Sequence, residues 1–181
     1  MAIAAQGAVE DDTKMYEVEW APQERAMSES KEDRDNWLVI AEDQALLKEL
    51  AKELGEAHSY SMTSDANLES VSQYTAIVYA SGLSTRNSVL DILHDALRLM
   101  QAIIKMGSKG GAPELWFLTK GVQATQVGDL KGCDEPMHAG LWGLARTFRN
   151  EHPDLNARCF DALPGGTGAV NAADVARVLR R

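Results

Sequence analysis

Three glycines near the end of the chain come nearest, in type and spacing, to a nucleotide site. The stretch "LPGGTGAVNAAD" places Gly165, Gly166 and Gly168 between a predicted strand and a predicted helix. Such glycines let the pyrophosphate of a dinucleotide approach backbone N–H groups at the start of the helix. However, Asn171 stands where the third glycine of G-x-G-x-x-G belongs, and the chain ends before an acidic residue could bind the ribose. A connecting loop is therefore the favoured interpretation.

Two earlier turns also follow predicted strands and could in principle hold a phosphate. After "NWLVIA" the turn carries Glu42 and Asp43 but no glycine, and these carboxylates would repel an anion at the helix N-terminus. After "TAIVYAS" the turn "GLSTRNS" has one glycine and Arg86, which could neutralise an anion, but it forms no recognisable cradle. A small stand-alone nucleotide-binding enzyme that uses "PGGTG" or "SGLSTRN" remains the alternative.

Residues for acid–base, nucleophilic or metal chemistry are scattered. The four histidines lack metal-ligand spacing and are His58, His94, His138 and His152. Cys133 and His138 could form a nucleophile pair, but nothing nearby would lower the pKa of the thiol. No tyrosine is followed by a lysine four residues later, as in short-chain reductases. We therefore predict no catalytic, cofactor-binding or metal-ligating residues in this chain.

Composition excludes several classes of function. The 181 residues have a net charge of -9, which disfavours binding to nucleic acid phosphates. Neither a signal peptide nor a run of about 20 apolar residues is present. Cys133 and Cys159 show no metal or disulfide pattern, which favours a reducing compartment. The sequence thus predicts a cytoplasmic protein that binds neither membranes nor nucleic acid.

Strand-like and helix-like segments alternate along the chain. Predicted strands cover 15–20, 36–41, 57–62, 75–81, 114–121 and 156–163, and predicted helices cover 44–54, 65–73, 87–107, 135–150 and 171–181. This alternation predicts an α/β, Rossmann-like fold with a mostly parallel sheet of about six or seven strands and helices on both faces. Residues 1–14 are predicted to be a linker or a cloning remnant, and residues 15–181 a single domain.

Helix 87–107 has the strongest periodicity in the chain. The i, i+3, i+4 spacing of an amphipathic helix is kept by Leu90, Leu93, Leu97, Met100 and Ile104, and Gly107 is the predicted end of the helix. For helix 44–54, Asp43 is the predicted N-cap and Gly55 the predicted C-terminal stop.

Several motifs together resemble the ketoreductase region of modular type I polyketide synthases. "GLWGLARTFRNEHPDLNARCFDA" is similar to the family pattern A-L-W-G-L-x-R-x-x-x-x-E-H-P-x-L-x-x-x-x-x-D. "LWFLTKGVQAT" is similar to its L-W-x-V-T-x-G-A segment, "MYEVEWAP" to its opening Y-x-x-x-W-x-P strand and "NWLVIAED" to the next strand. The resemblance covers residues 15–181 in the same order.

The resemblance implies that this chain is the first of two Rossmann-like halves, a truncated and non-catalytic structural subdomain. The second half of such a ketoreductase carries the NADPH site and the catalytic residues and reduces a carrier-bound β-keto thioester. The implied partner is therefore that catalytic half in the same parent polypeptide. Neighbouring synthase domains (dehydratase, enoylreductase, acyl carrier protein) are further candidate partners, and a scaffold or docking module for them is a second alternative.

A structural subdomain that braces the catalytic half, that is, holds it in one orientation, needs a surface that contacts it. Our candidate is the predicted helix 135–150, which precedes "HP". We predict that this subdomain interface includes Trp142, Arg146, Phe148 and His152. Trp142 and Phe148 are six residues apart and do not share a helix face. In one arrangement only one of the two rings points inward. In the other, both rings are in the core and Arg146 is solvated.

Overall fold

The computed structural model describes residues 2–4, 17–19, 36–55, 58–84, 88–106, 111–123, 138–162 and 170–180. The seven strands of this part of the chain are β1 Ala2–Ala4, β2 Glu17–Glu19, β3 Trp37–Ala41, β4 Ser59–Met62, β5 Ala76–Tyr79, β6 Glu114–Lys120 and β7 Ala157–Ala162. The four α-helices are α1 Gln44–Leu54, α2 Val89–Met106, α3 Gly140–Glu151 and α4 Ala172–Leu179. Short 3-10 helices cover Thr63–Asp65, Leu68–Gln73 and Ser81–Leu83.

The main sheet has five parallel strands in the order β4-β3-β5-β6-β7. The predicted α/β, Rossmann-like class is confirmed, but a single sheet of six or seven strands is not. Among the described residues, β2 forms a separate antiparallel pair with β1. Strand β1 lies within the segment 1–14, for which the sequence predicted a linker. No strand was predicted there, because the segment has no strand-like alternation of apolar and polar residues.

The sheet is buried on both faces, as the apolar strands predicted. Side chains alternate along each strand, so that Trp37 and Val39 of β3 face α1 and α4, while Leu38 and Ile40 face α2 and α3. Each face therefore has its own apolar cluster, and the two clusters together form the core.

Helix α1 begins and ends where the sequence predicted. The side chain of Asp43 caps the helix by accepting a hydrogen bond from the backbone N–H of Ala45 at 2.8 Å. Gly55, with φ of 102°, donates its N–H to the carbonyl of Ala51. Its left-handed backbone conformation favours glycine and ends the helix.

Helix α2 lies within the predicted range 87–107, but most of its evenly spaced apolar residues are not the ones that it buries. Its fully buried residues are Ile92, Ala96, Leu99, Met100 and Ile103. Of the five residues with the i, i+3, i+4 spacing, only Met100 is among them, Leu93 is half-buried, and three residues are exposed: Leu90, Leu97 and Ile104. The two sets differ because the apolar residues of α2 cover more of its circumference than one core face needs.

Two other predicted helices differ in detail. The segment 65–73, predicted as one short helix, consists of two 3-10 segments, and Asn67 caps the second by accepting from the N–H of Glu69. The described part of helix 135–150 begins at Gly140, and residues 135–137 lie outside the described residues.

Candidate functional site

The carboxyl ends of the parallel strands form the edge at which an open α/β sheet binds ligands. The binding crevice lies where the strand order reverses. Here that point is β3, which has β4 on one side and β5 on the other. Any cofactor site of this chain is therefore expected between the segments that follow β3 and β5.

The first of these segments, at the start of α1, is occupied by the chain's own carboxylate. Asp43 Oδ1 accepts from Ala45 N–H, and the Asp43 carbonyl accepts from Leu47 N–H at 3.0 Å. In dinucleotide-binding proteins a phosphate takes the place of this anion at the helix N-terminus. That no phosphate binds there stays a prediction, and this geometry disfavours such binding.

Glu42 adds negative charge beside that helix terminus. Partial burial raises the pKa of its carboxyl group, and the carboxylates of Asp95 and Asp91 raise it further. Within the described part of the chain, Glu42 Oε2 is buried without a hydrogen-bond partner. The local field therefore disfavours any additional anion, including a pyrophosphate.

The second segment, after β5, is a closed turn rather than a phosphate cradle. In its described part, residues 80–84, two N–H groups bond internally, from Leu83 to the Ala80 carbonyl at 3.0 Å and from Ser84 to the Ser81 carbonyl at 3.1 Å. The Ser81 hydroxyl, which is fully buried, lies 2.9 Å from that of Thr63. These N–H groups are therefore not free to bind a phosphate.

Gly82 in this turn is needed for close packing. A Cβ added to it would lie 2.4 Å from the Leu118 carbonyl oxygen and 2.8 Å from Leu141 Cδ1. This glycine thus lets the turn pack against β6 and α3, whereas a glycine of the G-x-G-x-x-G motif makes room for the dinucleotide. The described residues at this edge do not fit a dinucleotide.

A hydrogen-bonded network closes the edge at β6 and β7. The Trp142 indole Nε1–H donates to Thr119 Oγ1 at 2.9 Å, and the Thr119 hydroxyl donates to Asp161 Oδ1 at 2.7 Å. Asp161 Oδ2 accepts from the N–H groups of Val122 and Gln123 at 3.0 and 2.9 Å. We call Trp142, Thr119 and Asp161 the edge network. It joins α3, two strands and the loop after β6.

His138 links the segment after β5 to the start of α3. Its ring is 4% exposed, and because a carbonyl oxygen only accepts, Nε2–H donates to the Ser84 carbonyl at 2.7 Å. Cys133, its proposed nucleophile partner, lies outside the described residues. The geometry of His138 indicates a structural role.

The four predicted interface residues occupy different environments. Phe148 is 4% exposed and belongs to the core, so its ring is not available to a partner. Trp142 is half-buried in the edge network, and Arg146 is exposed. His152 is the half-buried C-cap of α3, with its ring 5.5 Å from that of Phe148. Whether Trp142, Arg146 and His152 contact a partner stays a prediction.

The remaining candidates show no assembled chemistry where the structure describes them. Burial raises the pKa of the Cys159 thiol to about 11, which disfavours the reactive thiolate. No group of three or more potential metal ligands occurs in the described ranges. Arg86 and the glycines of "PGGTG" lie outside the described residues. None of the helices in the described part is long and apolar enough to cross a bilayer.

Comparisons with known proteins give this arrangement a context. The family described as "Polyketide synthase extender module SpnB, Rossmann fold domain" matches residues 18–176. The pikromycin polyketide synthase component PikAIII of Streptomyces venezuelae is 31% identical over 172 residues, which are 93% of this chain and 10% of that protein. A phenolphthiocerol/phthiocerol polyketide synthase protein of Mycobacterium tuberculosis is 27% identical over 153 residues, covering 77% of this chain and 10% of that protein. The chain thus spans about a tenth of the length of either relative.

A solved structure shares the fold. The structure titled "Structure of A-type Ketoreductases from Modular Polyketide Synthase" superposes with a TM-score of 0.58 at 23% identity. The superposition covers 86% of this chain and 36% of that chain. It supports the Rossmann-like architecture.

Proposed function

Because the chain belongs to the family of SpnB-type Rossmann fold domains of polyketide synthase extender modules, we infer that it is a structural subdomain of a ketoreductase. From this premise we propose that it catalyses no reaction itself and braces the catalytic half of that ketoreductase. The catalytic half, in the same parent polypeptide, would reduce a carrier-bound β-keto thioester with NADPH in the cytoplasm. Dehydratase, enoylreductase and acyl carrier protein domains would be its neighbours.

The observation that carries this proposal is the occupied carboxyl edge of the sheet. Asp43 takes the anion position at α1, Gly82 packs its turn against β6, and the edge network closes the far end. A Rossmann-like enzyme needs this edge open for its cofactor. The same closure disfavours the stand-alone nucleotide-binding enzyme, because the described part of "SGLSTRN" is a buried turn.

A brace acts through the apolar area that it covers on its partner. Burial contributes roughly 25 cal/mol per Å², and a standard interface buries about 800 Å² per partner. Such an interface can hold the catalytic half in one orientation, although area alone does not determine affinity. The proposal therefore requires a surface of this chain that is apolar and exposed.

Deletion tests the bracing role. The parent ketoreductase would be prepared with and without the segment equivalent to residues 15–181, and reduction of a β-keto thioester by NADPH would be measured for both. We expect the shortened protein to lose activity and to unfold at a lower temperature, and this chain added separately to restore part of both. An unchanged kcat/KM and an unchanged melting temperature would contradict the bracing role.

A further inference from the structure

Helix α2 has apolar side chains that the core does not use. Leu90, Leu97 and Ile104 are 74%, 41% and 36% exposed, and they are the exposed large hydrophobic residues of the described chain. They are spaced seven residues apart, about two helical turns, and therefore lie in a line along the helix. We call these three residues the α2 stripe.

The surroundings of the stripe are uncharged along this line. The exposed or half-buried positions between its members, three or four residues apart, are Leu93, His94 and Gln101, none of them Asp, Glu, Lys or Arg. Charged side chains lie one position further round the helix, where Asp91, Arg98 and Lys105 are exposed. An apolar line with a charged rim has the composition of a protein interface.

Helix α3 borders the stripe on one side. A Cβ added to Gly140 would lie 3.1 Å from Leu93 Cδ1, so the two helices approach closely there. Leu144, one turn after Gly140, is half-buried on the same side. Trp142 instead reaches Thr119, so it lies on the other side of α3. The α2 stripe is thus a different surface from the interface predicted around Trp142.

We infer that the α2 stripe is the docking surface for an apolar helix face of the catalytic half. The inference rests on the proposed function, which supplies a partner in the same polypeptide. The relatives are about ten times as long as this chain and have ample length for such a partner. An apolar occupant is favoured over an acidic one, because the line itself is apolar and its rim carries both signs of charge, Asp91 as well as Arg98 and Lys105.

Two matched triple variants test the surface in the intact parent ketoreductase and in this chain alone. The first replaces the stripe by Leu90→Gln, Leu97→Gln and Ile104→Gln. The control is Asp91→Gln, Arg98→Gln and Lys105→Gln. It introduces glutamine at the same seven-residue spacing, at the positions that directly follow those of the stripe. The measurements are kcat/KM for reduction of a β-keto thioester, melting temperature and hydroxyl-radical labelling of the wild-type stripe.

The docking surface predicts a selective loss. In the parent, the stripe variant should lower kcat/KM about tenfold or more, as removal of interface anchors does, while the control should not. In this chain alone, both variants should melt close to wild type, and labelling of the wild-type stripe should be several-fold faster than in the parent. Equal effects of the two variants, or equal labelling in both proteins, would overturn the inference.

Two further outcomes separate this inference from the bracing role. If the parent that lacks the segment equivalent to residues 15–181 loses activity but the stripe variant does not, the bracing role is supported and the inferred docking surface is wrong. If the deleted parent keeps full activity, the bracing role itself has failed. A dimer of this chain that the stripe variant dissociates, with unchanged parent activity, would make a second copy the occupant and would also overturn the inference.

Discussion

The carboxyl edge of the sheet and the outer face of α2 are two places where the described part of this Rossmann-like domain could meet another molecule. At the edge, Thr119 and Asp161 are hydrogen-bonded within the chain, and Gly82 allows backbone to pack against backbone. On α2, Leu90 and Leu97 remain exposed to solvent. The contrast indicates that the edge serves the chain's own stability, whereas the helix face is free for a partner.

The largest effect should separate the two faces of α2. Leu99 is 1% exposed, whereas Leu90 is 74% exposed on the same helix. We expect Leu99→Ala to lower the free energy of unfolding by about 2–5 kcal/mol, and Leu90→Ala to change it by about 0.5 kcal/mol or less. Urea unfolding of this chain measures both, and similar losses would mean that Leu90 is buried in solution.

Gly82 tests how tightly the edge is closed. Gly82→Ala forces a Cβ against the Leu118 carbonyl, and overpacking of this kind costs about 1–3 kcal/mol. Gly143, in α3, has open space around its would-be Cβ, and Gly143→Ala should stabilise by about 0.5–1 kcal/mol. Chemical denaturation should therefore give opposite signs for the two variants. A neutral Gly82→Ala would show that the turn is loosely packed.

The edge network should contribute less than the packing of α2. Asp161→Asn turns one of two accepting carboxylate oxygens into an NH2 group, which cannot accept, and removes the charge that strengthens the bonds from the backbone N–H groups, at a cost of about 1.5–3 kcal/mol. Asp154, an exposed loop residue, is the control, and Asp154→Asn should change the free energy of unfolding by roughly 0.5 kcal/mol at most. If the two variants unfold at the same urea concentration, the network does not hold the edge together.

The smallest effect concerns charge at the edge. The pKa of Glu42 is raised in the folded chain, so its contribution to stability is present below its ordinary pKa and is lost as the pH rises through the folded value. Glu42→Gln should therefore raise the urea midpoint slightly at pH 7 and leave it unchanged near pH 4. The exposed Glu49→Gln on α1 is the control. A lower midpoint for Glu42→Gln at pH 7 would mean that the charged carboxylate stabilises the edge.

The order of helices and strands could be predicted because hydrophobic periodicity and capping are local signals. Asp43 and Gly55 bound α1 as predicted, since each acts on backbone groups within a few residues. The pairing of β1 with β2 was missed, because a strand of three residues carries almost no periodicity. For α2, spacing identified the helix but could not decide which of two adjacent apolar arcs the sheet would cover.

At the carboxyl edge of the sheet, the lack of a phosphate-binding motif could be predicted from the sequence, but the hydrogen bonds that close the edge could not. The missing glycines and the carboxylates after β3 predicted that no phosphate binds there. Thr119 and Asp161, however, are separated by 42 residues, and only the pairing of β6 with β7 brings them together. Both lie in segments that resemble the ketoreductase family, so the resemblance was the available signal for their role.

The central claim is that this chain keeps a Rossmann-like shape while its own groups occupy the cofactor edge. Fluorescence titration of NADPH with the 181-residue chain tests it most directly, with the intact parent ketoreductase as the positive control. The account predicts saturable binding to the parent and none to this chain. Saturable binding to this chain at micromolar concentrations of NADPH would contradict it.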